Sequence, residues 1–108
     1  MGASYSTDNL RDRLSAVTLV EALGPPYFAT GHLPGAVNIT PGRAAELAAV
    51  LLPDKNADIV IYGAQRHSPA ADAVGRELSN LGYRNISTYL DGKQGWVEAG
   101  LPLVAEPD

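Results

Sequence analysis

The chain has 108 residues, 45% hydrophobic and 19% charged, which fits one globular domain (residues 1–108, core about 6–103) and excludes a disordered segment. Eight Lys and Arg against twelve Asp and Glu give a net charge of −4, which argues against nucleic-acid binding; no apolar run nears the roughly 20 residues of a membrane span. Cysteine is absent, so disulfides, thiolate metal sites and a thiol nucleophile are all excluded.

Ser6 or Thr7 is a candidate cap for a short helix with Asp8 in its first turn and Leu10 and Leu14 on its buried face. Residues 17–23 read as a strand. The stretch GPPYFATGHLPG reads as a long loop with a single helical turn near residues 27–29, followed by a short buried strand at 36–39. A second helix is expected from Pro41 to about Leu52, because Ala44, Leu47, Ala48 and Leu51 recur at helical spacing. Residues 59–62 are continuously apolar, as a central parallel strand covered on both faces requires. Ser68 and Pro69 fit the cap and first position of a third helix, which buries Ala71, Val74, Leu78 and Leu81 and stops at Gly82. Residues 86–90 form another strand, and a short helix is expected near residues 96–99.

Strands alternating with helices imply an α/β domain: a small parallel sheet of four or five strands, flanked by helices on both faces. In such folds the site lies beyond the carboxyl ends of the strands. Here these are the loops after Leu23, Tyr62 and Leu90. The segment 63–68 (Gly63, Ala64, Gln65, Arg66, His67, Ser68) joins a buried strand to a helix N-terminus, so its backbone N–H groups form a candidate anion cradle.

Three stretches in the right order resemble the rhodanese-like domain family. YFATGHLPGAVNI (27–39) is similar to the family's Gly-His-Ile/Leu-Pro-Gly-Ala segment. IVIYG with its loop and Ala-rich helix is similar to the active-site strand and loop. LGYRNISTYLDGKQGWVEAGLPL (81–103) is similar to the C-terminal section with its Trp helix. The resemblance runs from about Val17 to Leu103. It implies a sulfurtransferase fold in which a cysteine after the central strand carries sulfane sulfur as a persulfide. That cysteine falls on Gly63, and a second one found in longer loops of the family falls on Ser68. The family's Asp-Val-Arg at the end of the first strand is matched by Glu21, Ala22 and Leu23.

The resulting expectation is a homologue without sulfurtransferase activity, acting as an anion- or protein-binding, regulatory module. The alternative is a thiosulfate or persulfide sulfurtransferase whose catalytic Cys, at 63 or 68, is altered in this chain. No catalytic residue, cofactor or metal is assigned. The expected partner is a small anion or a protein, with no nucleic acid and no membrane.

Individual residues carry competing readings. Gly63 reads as a residue that lets the chain turn off the strand. Ser68 reads as a helix cap, an anion-contacting hydroxyl or, least favoured, a nucleophile beside His67. Arg66 reads as an anion clamp or a solvated loop charge. His32 reads as structural ahead of a role in metal or proton transfer, Trp96 as core or site wall ahead of a ligand platform, and Lys93 as a solvated surface charge ahead of a place at the site mouth. The lack of disulfides fits a cytoplasmic location, the polar N-terminus argues against a signal peptide, and Gly2 with Ser6 matches a loose myristoylation pattern.

Overall fold

The structure, a computed structural model, describes residues 3–66 and 68–105. Its five parallel strands are β1 (Ala3–Tyr5), β2 (Thr18–Glu21), β3 (Val37–Asn38), β4 (Asp58–Tyr62) and β5 (Asn85–Tyr89). They lie in the order β1-β5-β4-β2-β3. The helices are α1 (Thr7–Asp12), α2 (Pro25–Thr30), α3 (Ala44–Leu51), α4 (Pro69–Asn80) and α5 (Gly92–Glu98).

Strand alternation divides the core in two. Val20, Ile59 and Ile61 face α3 and α4, where Ala44, Ala48, Ala71, Val74 and Leu78 pack on them. Leu19, Val60 and Tyr62 face the other way, toward Leu10 of α1, Phe28 of α2 and Trp96 of α5. Both faces of the central strands are therefore covered, and this is why residues 59–62 of β4 are all apolar or aromatic and buried, after the exposed Asp58. Burying each Val, Leu or Ile in these layers contributes about 1.5–3 kcal/mol.

Three elements depart from the sequence reading. β1 was not foreseen: three residues carry no readable period, and the strand exists because Ala3, Ser4 and Tyr5 pair with Ser87, Thr88 and Tyr89. α3 begins at Ala44 rather than Pro41, because Gly42 takes a left-handed φ of 87° that a helix cannot contain. The Glu77 carboxylate, from α4, accepts from the Gly42 N–H at 2.8 Å and so serves the N-terminal end of α3 across the helix pair. α5 starts at Gly92, four residues before the expected turn. Gly92 and Gly95 lower the helical propensity of that segment and hide it from a sequence reading.

Candidate functional site

The loops after β2, β4 and β5 meet at one end of the sheet. The β4 loop is tied to α5 by its backbone: Lys93 N–H donates to Gly63 O at 2.9 Å and Gln94 N–H donates to Ala64 O at 2.8 Å. The two chains come so close at Gly92 that a Cβ there would lie 2.8 Å from Gly63 O and from Gln65 N. Ser68 caps α4, its Oγ accepting from Ala71 N–H at 3.1 Å.

Gly63 is glycine because of space, not conformation. Its φ lies outside the left-handed region, so a sharp turn is not what requires it. A Cβ built at residue 63 would fall on Oγ and Cβ of Ser68. The Ser68 side chain thus fills the start of the volume that any side chain at 63 would need. What remains beside it is a cavity of about 70 Å³, bounded by Gln65, Asp72, Thr88 and Leu90 among others.

The Arg66 charge is paired. The Arg66 guanidinium donates to Asp91 Oδ1 at 2.6 Å, on the turn that opens α5. Both side chains keep substantial exposure, 61% and 35%, so the pair contributes only about 0–1 kcal/mol. Asp91 also accepts from Thr7 Oγ1 at 3.3 Å, and Thr7 Oγ1 lies 2.6 Å from the Tyr89 hydroxyl. His67, expected beside Ser68, lies outside the described residues, as does Gly2 of the lipidation pattern.

Below the loop sits a buried polar network that sequence reading missed. Glu21, fully buried at the end of β2, accepts from the Tyr62 hydroxyl at 2.8 Å. Tyr62 in turn accepts from Leu33 N–H at 3.0 Å. Lys93 reaches in from α5, its Nζ 3.1 Å from Glu21 and 2.9 Å from Tyr27 O. Lys93 is therefore an internal counter-ion, not the solvated charge that its loop position suggested; its side chain is 17% exposed. Burial first, then the adjacent Glu21 carboxylate, pushes the Tyr62 phenol well above its ordinary range. One signal was available: an acid inside an otherwise apolar strand needs a partner.

His32 is buried and structural. Its Nδ1 lies 2.9 Å from Phe28 O, and its ring stacks on Phe28 at 3.9 Å. Trp96 is core, with its Nε1–H donating to Pro102 O at 2.9 Å. An apolar cleft of about 550 Å³ opens between α2 and α5, lined by Leu23, Tyr27, Val97 and Leu103. Tyr27 and Val97 stand 65% and 51% exposed at its edges.

A parallel sheet with helices on both faces, and a strand–loop–helix unit at the end of its central strand, defines an α/β domain. A family model of the rhodanese-like domain matches residues 6–99, and the chain belongs to that family. A rhodanese-related protein from Thermoplasma volcanium has a TM-score of 0.81 and 26% identity, over 96% of this chain and 99% of that one. A human single-domain sulfurtransferase shares the fold, with a TM-score of 0.74 and 20% identity over 91% and 97% of the two chains. An HTH-type transcriptional regulator of Mycobacterium tuberculosis is 33% identical over 93 residues. Those residues are 86% of this chain and 40% of that protein, so the chain spans well under half of this relative.

Proposed function

We propose that this rhodanese-like domain is a binding and regulatory module that does not transfer sulfur. The observation that carries the reading is the Gly63–Ser68 contact. The chain has no cysteine to hold a sulfane sulfur, and the side chain of Ser68 fills the volume where a residue-63 nucleophile would begin. A hydroxyl cannot replace a thiolate as carrier, because the persulfide needs a polarisable sulfur anion. Ser68 is moreover engaged as a cap.

Two features support binding. A small cavity remains beside Ser68, and Arg66, which lines the neighbouring pocket with Gln65, Asp91 and Gln94, is held only by its weak pair with Asp91, which a small anion can replace. The exposed Tyr27 and Val97, beside an apolar cleft, suit contact with a partner protein. The likeness to part of a transcriptional regulator supports a regulatory setting. The alternative, a sulfurtransferase altered at 63 or 68, is favoured by the preserved strand–loop–helix frame.

The test is thiosulfate-to-cyanide sulfur transfer with the purified chain at high concentration. No turnover above the blank is expected, and turnover above it overturns the proposal. A second arm examines the frame. Gly63→Cys alone collides with Ser68, whereas Gly63→Cys with Ser68→Gly leaves room for the thiol. With thiosulfate as donor, whose outer sulfur passes to the thiolate while sulfite leaves, persulfide formation, read by mass spectrometry as one added sulfur, is expected in the double variant only.

A further inference from the structure

The protein carries net negative charge, and most of its cations are already spent. Arg11, Arg13, Arg43, Arg66 and Lys93 pair with carboxylates, and Lys55 lies over the Tyr83 ring. Two of the eight basic side chains remain, Arg76 and Arg84. Among the described residues neither guanidinium has an ion-pair, hydrogen-bond or ring partner. Both line the same groove.

The groove follows from the sheet order. β1 is the outermost strand beside β5, while α4 packs over β4 and β5. The face of β5 that carries Ile86 and Thr88 is therefore covered only from one side, and Ser4 beyond it is exposed. Between α4 and this face runs a cavity of about 540 Å³, within the range of about 300–1,000 Å³ typical of small-molecule sites. Arg76 rises from α4 and Arg84 from the turn leading into β5. Gly75, Ile86 and Thr88 contribute its other walls, and Ser79 adds a hydroxyl. Asp72 is the acidic residue of the lining, so the groove carries a net charge of +1 on a chain of net charge −4.

We infer that this groove binds a small organic phosphate: a phosphoryl group taken by Arg76 and Arg84, with an apolar or planar body lying over Gly75 and Ile86. Two guanidinium forks match the oxygens of a phosphomonoester in hydrogen-bond geometry, and their charge exceeds that of Asp72 by one. The absence of side chain at Gly75, whose nearest neighbours are the Ile61 and Ile86 side chains, leaves a shallow apolar surface for the remainder. Arg66 is not in its lining, and the groove adjoins the small cavity beside Ser68 through the shared walls Ala71, Asp72 and Thr88.

The experiment is a titration of the full chain with adenosine monophosphate, followed by amide NMR shifts, with adenosine and inorganic phosphate as parallel probes. Saturable shifts are expected at Gly75, Ser79, Arg84 and Ile86. Affinity should fall about tenfold in Arg76→Gln or in Arg84→Gln, each of which removes a charge-assisted contact. It should hold in Arg11→Gln, which removes the same charge elsewhere, and it should weaken as salt is raised. Adenosine should bind at least tenfold more weakly. No saturable shift, shifts confined to residues 63–66, or equal affinity in all three variants overturns the inference. So does inorganic phosphate binding as tightly as the nucleotide, since the apolar floor would then contribute nothing. Both arginines are exposed, and circular dichroism of the variants separates lost binding from lost folding.

Discussion

Gly63 and Ser68 share one volume, so the two positions are energetically coupled. Gly63→Ala forces a methyl group onto the Ser68 side chain and should cost about 1–3 kcal/mol through overpacking. Ser68→Gly should cost only a few tenths of a kcal/mol, because glycine is a tolerated cap. In the double variant most of the first loss should return; urea unfolding of the four proteins gives the coupling directly. Additive effects would mean that the two side chains do not compete. The sequence marked both residues, yet not their relation. Gly63 invited a conformational explanation, and only the positions of the folded atoms reveal that the demand is for space.

At the scale of elements, α5 is held to the sheet by more than its apolar face. Its first turn donates backbone N–H groups to the β4 loop, and Lys93 neutralises the buried Glu21 of β2. Lys93→Met should therefore cost about 3–5 kcal/mol, because it leaves a buried carboxylate without its cation. Pairing it with Glu21→Gln should recover most of that loss, as judged from denaturant midpoints at constant m-value. An equal loss in the single and double variants would assign the effect to packing of the lysine stem. The α4-to-α3 link, in which the Glu77 carboxylate accepts from the exposed Gly42 N–H, is likewise made between segments distant in sequence. Partners 72 residues apart (Glu21 and Lys93) or 35 apart (Gly42 and Glu77) leave no local pattern, and the helices themselves were far easier to read than the contacts between them.

For the whole molecule, the buried phenol links stability to alkaline pH. The Tyr62 pKa is raised in the folded state, by burial and by Glu21, above the value of about 10 expected of the unfolded chain. The folded state therefore retains a proton that the unfolded state releases. This stabilisation is fully present below about pH 10 and is lost progressively as pH rises above it. Tyr89 is shifted in the same direction, first by burial, with Asp91 adding to it. Urea midpoints should therefore fall steeply above pH 10, and Tyr62→Phe should flatten that slope although it lowers stability at neutral pH by removing two hydrogen bonds. An unchanged slope would exclude Tyr62 as its source. The sequence by itself determined the alternation of strands and helices, the apolar run 59–62 in β4, the Ser68–Pro69 helix start and the lack of any thiol. Each of these is a local property, set by periodicity, capping chemistry or composition. The tertiary structure alone decided the pairing of β1 with β5, the counter-ion of Glu21, the filling of the Gly63 volume by Ser68 and the convergence of Arg76 and Arg84 on one groove. Those depend on which distant segments become neighbours, and such proximity is fixed by packing of the whole chain rather than by any stretch of it.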